Sequence, residues 1–341
     1  MRVVVTGHLG YVGTVLTPML QDASHAVFGI DSDLYARCVV GVDAPKITQI
    51  IRDIRECEPG DFEGAHAVIH LAGLSNDPLG SLDPSVTESI NHHGAVRVAE
   101  CARKAGAERI VLASTCSVYG GSGEDWIDEH SPTNPLTPYA ESKLAMERDV
   151  RALASADFEV VALRYATAFG PSPRVRFDLV VNNFAAWGAA TGTIRLNSDG
   201  SAWRPLIHVT DIARAAIGAA EAPGDRVAGR VFNVGRTDLN ARVRDIAQAV
   251  HKVAPECRVE TAEGAGTDAR CYRVNCDAFA AALPGAVPRY SVEDGTRALF
   301  AFCREAGLTP EQFEGPDYAR LAHVRWLMQE GLVTPDLRST S

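Results

Sequence analysis

The sequence predicts an α/β protein with a doubly wound parallel sheet and a smaller α/β C-terminal domain. Three observations predict it. Short β-branched runs recur along roughly the first half of the chain, segments of helical spacing separate them, and a glycine-rich turn joins the first run to the first helix. At 341 residues the chain can form two domains or one large α/β domain.

Residues 2–6 read as a short buried strand, followed by Gly7-His8-Leu9-Gly10-Tyr11-Val12-Gly13 and an apolar helix over 15–20. Strand, glycine-rich turn and helix in this order form the setting of a dinucleotide-binding turn. Gly7 permits the tight turn, Gly10 lets the backbone approach a pyrophosphate at the helix N-terminus, and Gly13 lets helix and strand pack closely. The spacing is one residue longer than the usual G-x-G-x-x-G. The second strand, 26–30, ends at Asp31, where a carboxylate binds adenosine ribose hydroxyls and repels the extra phosphate of NADP, so NAD is favoured. A third strand, 47–51, precedes Asp53-Ile54, which reads equally as an adenine cradle or an exposed turn.

The fourth strand and its exit, residues 67–73, end in Leu71-Ala72-Gly73, small enough for backbone to pass a bound cofactor. His70 reads as a packed strand-end side chain. Asn91 opens a helix carrying Val96, Val98, Ala99 and Ala102, and a cap is its simplest role. His92 and His93 are adjacent and should not share a helix face, so no metal site is expected there. The fifth strand, 109–113, leads into Ser114-Thr115-Cys116-Ser117-Val118-Tyr119-Gly120. If extended, it points Thr115 and Ser117 one way and Cys116 the other. Then Pro138 starts a helix that places Tyr139 and Lys143 one turn apart on one face. A phenol titrates near 10, so a phenolate near neutral pH needs about 4 kcal/mol of stabilisation. A neighbouring ammonium can contribute that, and the Tyr then serves as a base toward a hydroxyl. The sixth strand covers 160–164.

Composition narrows the partners. Hydrophobic residues at 46% and charged residues at 22% are ordinary for a globular protein, and a net charge of -10 without a basic run argues against nucleic acid. No apolar stretch reaches membrane-spanning length and no signal peptide is evident, so a cytoplasmic protein with no membrane partner is expected. The eight cysteines are scattered without C-x-x-C, so free thiols are expected rather than a metal or disulfide framework.

These motifs, in this order and spacing, resemble the extended short-chain dehydrogenases/reductases, the NAD-dependent nucleotide-sugar epimerases and dehydratases. The resemblance spans almost the whole chain, through Phe232-Asn233-Val234-Gly235 and beyond. It implies a Rossmann-type domain over about 1–165 plus 205–236. A substrate-binding domain is implied over about 166–204 plus 237–341. By resemblance NAD contacts Gly7, Gly10, Tyr11, Val12, Gly13, Asp31, Asp53, Ile54, Leu71, Ala72, Gly73, Asn91, Ser114 and Tyr165. Thr115 would bond the reacting sugar oxygen, and Tyr139 would be the acid/base. Lys143 would bind the nicotinamide ribose and lower the Tyr139 pKa.

On the substrate side, residues 163–171 resemble L-R-Y-F-N-x-Y-G-P, with Thr167 in place of the family Asn that contacts the sugar nucleotide. Asn182 and Asn183 could offer donors to a diphosphate. Arg204 matches the Arg that clamps it, and Arg270 or Arg273 replaces a second family Arg whose position is Ala265. Ser75 stands where the family often carries a Lys near the cofactor diphosphate, and Ser117 borders the sugar. Arg174 and Arg176 could meet an acidic sugar or phosphate, or form a solvated loop. Residues 75–82, 120–125 and 174–183 should set sugar specificity. His208 and Asp211 read as structural. A helix bearing Tyr318, Leu321, Val324, Leu327 and Met328 carries no assigned chemistry.

The reaction branch follows by exclusion. The dehydratases carry Asp-Glu where this chain has Cys116-Ser117, and the decarboxylases commonly carry Glu at the Ser117 position. The GDP-sugar epimerase-reductases carry Cys at that position, and Asp31 disfavours NADPH chemistry. A redox-neutral C4 epimerase acting through a transient keto sugar remains. The alternatives are a nucleotide-sugar dehydrogenase, ketoreductase or dehydratase, and an NAD-binding sensor without catalysis. A homodimer through helices near 91–103 and 139–154 is expected by resemblance.

Overall fold

The six predicted strands form one parallel sheet together with a seventh, Val231–Val234. The computed structural model describes residues 1–42, 46–75, 82–121, 123, 125–262, 264, 266–268 and 270–340. Ala265, residues 76–81 and residues 122 and 124, named above in connection with specificity, lie outside the described residues. The strands are β1 (Arg2–Thr6), β2 (Ala26–Asp31), β3 (Thr48–Ile51), β4 (Ala67–His70), β5 (Arg109–Thr115), β6 (Trp126–Ile127), β7 (Glu159–Tyr165), β8 (Thr167–Phe169), β9 (Thr193–Leu196), β10 (Trp203–His208), β11 (Val231–Val234), β12 (Asn240–Arg242), β13 (Arg258–Thr261) and β14 (Arg273–Val274). The large sheet has the order β11-β7-β5-β4-β1-β2-β3. Its pairs are all parallel, so every strand points its C-terminal end to one edge.

The strand order reverses at β1, with β2 on one side and β4 on the other. Such a switch point opens a crevice at the carboxyl edge, the general ligand position in open α/β sheets. Val3, Val4, Val5, Val68, Ile69 and Val111 are fully or almost fully buried, which explains why these strands read as continuous apolar runs. Helices Gly13–Asp22 and Val209–Glu221 cover one face, through Leu16, Leu20, Ile212 and Ala216. Ala95–Lys104 and Pro138–Arg151 cover the other, through Val98, Ala102, Met146 and Val150.

A second apolar cluster lies in the C-terminal half, built on Phe169, Phe177, Phe184, Leu206, Leu299 and Phe300. There β10 pairs with β8 and β12 in a separate small sheet, while β11 returns to the edge of the large one. The expected C-terminal helix exists over Arg320–Gln329 and buries Val324 and Leu327 against the body of the chain. No helix among the described residues is long and apolar enough to cross a membrane, and all eight cysteines are free.

Candidate functional site

The first turn after β1 needs glycine for two separate reasons. Gly7 has φ +78°, a left-handed conformation that side chains disfavour, and a Cβ there would lie 2.5 Å from the Ala72 amide nitrogen. A Cβ on Gly13 would lie 2.4 Å from the Gly7 carbonyl oxygen. The turn is therefore packed against the β4 exit and against its own helix. At the end of β2, the Asp31 carboxylate accepts from the Leu9 and Asp33 amides, each at 2.9 Å. Asp53 caps the short turn Ile54–Glu56 and pairs with Arg55.

One cavity of about 1130 Å³ runs from this turn across the crevice. It is lined by Gly7, Gly10, Tyr11, Val12, Gly13, Asp31, Asp53, Ile54, Leu71, Ala72, Gly73, Ser75, Ser114 and Tyr165. Thr115, Ser117, Tyr139, Lys143, Thr167, Asn183, Arg204 and Arg270 line it as well. Asn91 and Asn182 do not. Asn91 is fully buried; its Oδ1 accepts from the Leu74 amide at 2.7 Å, and its Nδ2 donates to the Leu74 carbonyl and to Ser142 Oγ. These bonds fix the β4 exit loop. Asn182 is equally buried: its Oδ1 accepts from the Gly170 amide, and its Nδ2 donates to the Arg176 carbonyl and Tyr11 Oη. With all its amide groups so engaged, it has no donor left for a diphosphate, whereas its neighbour Asn183 reaches the cavity.

Asn91 sits in a π-helical turn, Ser89–Gly94, inserted before the Ala95–Lys104 helix. The wider turn also brings side-chain ligand atoms of Glu88, His92 and His93 within 4.8 Å of one another, which regular helical spacing would not. His92 Nε2 lies 2.6 Å from the Asp149 carboxylate.

β5 runs two residues further than its apolar pattern, because Ser114 and Thr115 pair with Arg164 and Tyr165 of β7. The chain then tightens into a short turn, Cys116–Tyr119, capped by Thr115. Thr115 and Ser117 hydroxyl oxygens lie 3.1 Å apart, and Cys116 is buried with Sγ bonded to the Arg164 carbonyl. The Thr/Ser-in, Cys-out arrangement is the predicted one, produced by a turn and not by continued strand. Thr137 caps the next helix and Pro138 begins it, which sets Tyr139 and Lys143 on one face.

Lys143 is 4% exposed and donates from Nζ to the Ala113 carbonyl at 2.8 Å. Burial lowers its pKa to about 8, opposed by the field of Glu147 one turn further on. Glu147 is itself 2% exposed and forms a forked ion pair with Arg164, whose Nη2 lies 2.7 Å from Oε2. Ser114 Oγ donates to Glu147, and Arg164 Nη1 donates to Tyr119 Oη at 2.9 Å. Glu147 was not among the predicted residues, although its position four after Lys143 on one helix was the available signal. His70 is fully buried, with Nδ1 2.7 Å from Thr6 Oγ1; burial pushes its pKa down to about 3, so it is neutral and structural.

At the far end, Asp268 lies between Arg204 and Arg270 and pairs with both. Burial opposes its ionisation, but Arg270 and Arg204 outweigh that and hold its pKa below the usual carboxylate value. Arg195 also lines this end, so the three guanidiniums exceed the one carboxylate and suit an anionic ligand. Arg176 lines the cavity, pairs with Asp178 and donates to Ser75 Oγ at 3.0 Å. Arg174 is buried against Asp33 and does not line the cavity. Asp211 is fully buried and accepts from the Arg289 and Tyr290 amides, and His208 stacks on Tyr290, which are structural roles.

The donor set fits a dinucleotide: a glycine cradle that Cβ atoms would fill, a carboxylate at the end of β2, and a buried Tyr165 hydroxyl without a partner inside the cavity lining. Known proteins agree. The UDP-glucose 4-epimerase of Mycolicibacterium smegmatis is 29% identical over 260 residues, covering 73% of this chain and 82% of that one. The UDP-glucuronate 4-epimerase of Thermodesulfobacterium geofontis is 27% identical over 242 residues, covering 64% and 72%. The structure of MoeE5 in complex with UDP-glucuronic acid and NAD superposes with a TM-score of 0.77 at 26% identity, covering 90% of this chain and 100% of that one. The complex of Thermus thermophilus UDP-glucose 4-epimerase with NAD shares the fold, with a TM-score of 0.73 at 23% identity over 89% of this chain and 99% of that one. The model of the NAD dependent epimerase/dehydratase family matches residues 3–235, more than half of the sequence, and the chain belongs to that family.

Proposed function

We propose that this protein is an NAD-dependent epimerase of a nucleotide-diphosphate sugar and inverts the sugar at C4. The observation that carries the reading is one continuous cavity. It joins the glycine turn, the Thr115/Tyr139/Lys143 group and the Arg204/Arg270 end. Its volume of about 1130 Å³ exceeds that of an ordinary single-ligand pocket, so cofactor and sugar nucleotide can be accommodated together. The 4-epimerase names of relatives that match nearly three quarters of the chain support the same reading.

Bound NAD supplies the hydride acceptor and donor. Tyr139 as phenolate takes the proton from the sugar hydroxyl, and Lys143, one turn away, holds a positive charge beside it. Thr115 Oγ1 orients the same oxygen, with Ser117 keeping that hydroxyl in place at 3.1 Å. Arg204 and Arg270 hold the diphosphate while the keto sugar turns over. Once the keto sugar presents its other face, where bound NADH would return the hydride to the carbon, Tyr139 gives its proton back to the same sugar oxygen, and the cycle closes without net redox change.

A second reading concerns the sugar itself. Arg176 lies in the cavity and feels the field of Tyr139, which places a cation near the reacting end of the sugar. That favours a hexuronate, and the likeness to the UDP-glucuronic acid complex supports it. Against it, Asp178 already pairs with Arg176 through two bonds.

The test is incubation with NAD and a panel of UDP-, dTDP-, GDP- and CDP-sugars, with hexoses and hexuronates in each set, followed by separation of C4 epimers. Epimer formation without NADH supports the proposal. Accumulating NADH indicates a dehydrogenase, and tight NAD binding without turnover indicates a sensor. Tyr139→Phe should retain NAD and lose at least about a thousandfold in kcat; normal turnover in that variant overturns the mechanism.

A further inference from the structure

A buried phenol outside the motifs joins two working ends of the cavity. Tyr272 lines the cavity but is only 4% exposed, and its ring packs in the apolar cluster of Cys116, Val118, Ile127 and Val274. Its hydroxyl is hydrogen-bonded to the Ser117 hydroxyl, and burial raises its pKa, so it stays a neutral phenol near neutral pH.

The backbone is held on both sides of Tyr272. Before it, Arg204 Nη1 donates to the Arg270 carbonyl, and the Trp203 amide meets Cys271 Sγ at 3.5 Å. The Gly123 amide donates to the Cys271 carbonyl at 3.1 Å. After it, Arg273 and Val274 form β14 and pair with Trp126 and Ile127 of β6. The phenol is thus anchored from the Arg204/Arg270 end while its hydroxyl reaches the Thr115 end.

At that end, Thr115 Oγ1 donates to Ser117 Oγ at 3.1 Å and accepts from the Ser117 amide at 3.1 Å. A Thr115 hydrogen pointed at Ser117 is not pointed at a sugar. To donate to the reacting oxygen, Thr115 has to turn that hydrogen away, and Ser117 Oγ then loses a partner. A polar atom that loses its partner in a partly buried site raises the free energy. The Tyr272 hydroxyl offsets this, because it stays on Ser117 Oγ after Thr115 has turned.

We propose that Tyr272 is a positioning residue: acting through Ser117, it releases the Thr115 hydroxyl to the reacting sugar oxygen. It touches neither sugar nor diphosphate itself. The inference rests on the epimerase reading, in which Thr115 bonds that oxygen.

The test uses the full chain with NAD and the panel sugar nucleotide that it turns over fastest, with the matching nucleoside diphosphate as binding probe. Tyr272→Phe keeps the packed ring and removes only the hydroxyl. Its kcat should fall about tenfold, while KM and the Kd of the nucleoside diphosphate stay within about twofold. In a Ser117→Ala background there is no Ser117 oxygen to compete for Thr115, so adding Tyr272→Phe should change kcat by less than about twofold. An unchanged kcat in the single variant overturns the inference. So does a tenfold loss that persists in the Ser117→Ala background, or a raised KM at constant kcat, since either would mean that Tyr272 meets the substrate directly. A wild-type protein inactive on the whole panel overturns the inference together with the epimerase reading, whereas an active one indifferent to Tyr272→Phe overturns the inference alone.

Discussion

Replacing Lys143 by Met should stabilise the cofactor-free protein while abolishing its turnover. Lys143 is 4% exposed, and burial lowers its pKa from 10.5 to about 8. At 1.36 kcal/mol per pKa unit, keeping this ammonium charged in the fold costs about 3 kcal/mol. The variant loses the bond from Nζ to the Ala113 carbonyl, worth about 1 kcal/mol. The net gain near pH 7 is therefore about 2 kcal/mol. The sign follows from linkage. Between about pH 8 and pH 10.5 the unfolded chain holds the Lys143 proton and the folded chain does not, so wild-type stability rises with pH through that window. The penalty is complete below pH 8 and gone above pH 10.5, so the advantage of Lys143→Met must shrink across the same interval. Urea denaturation of both cofactor-free proteins at pH 7, 8, 9 and 10 reads this directly. A variant less stable than wild type at pH 7, or a difference that does not change with pH, would refute the reasoning.

Two further substitutions test the frame around that residue. Asp31→Ala removes the acceptor of the Leu9 and Asp33 amides, so NAD should bind about tenfold more weakly and the preference for NAD over NADP should narrow; an unchanged ratio of dissociation constants counts against the assignment. Glu147→Gln leaves the buried Arg164 charge without its counterion and should destabilise the fold by about 3–5 kcal/mol in urea melts, and a loss under about 1 kcal/mol would show that the pair is not structural.

Much of the site was legible because its local geometry is written in local residue types. Gly7 and Gly13 are required by a turn whose Cβ positions are filled by neighbouring backbone, and that requirement survives in a bare glycine spacing. Tyr139 and Lys143 share a helix face through periodicity alone, and both line the cavity. Asn91 and Asn182 stand outside the cavity lining for a common reason. Amides near a site can satisfy either a ligand or the backbone, and here Leu74 and Gly170 claim them. The nearness of His92 and His93 to Glu88 was hidden by a π-helical turn, since a rule built on 3.6 residues per turn does not apply there. Arg320 and Leu337, which also line the cavity, lay beyond sequence reasoning altogether. Their approach to Leu34, Tyr35 and Ile54 is set by how the C-terminal segment packs onto the far end of the chain, and no periodicity encodes that.

The buried pair below the helix bears on the role proposed for Lys143 beside Tyr139. Glu147 stands one turn from Lys143, and a free carboxylate there would bind the ammonium and cancel its field. Instead Arg164 takes both Glu147 oxygens, and Ser114 donates to one of them. What reaches Lys143 is a weakened attraction, too small to offset burial, and its pKa settles at about 8. At pH 7 about nine in ten molecules still carry the charge. That charge has only the Ala113 carbonyl as a hydrogen-bond acceptor among the described residues, so in the proposed mechanism much of it is left to act on the phenol one turn back. Arg164, placed on β7 next to Ser114, thus does for the site what no residue inside the cavity does: it keeps the acid from neutralising the base's cation.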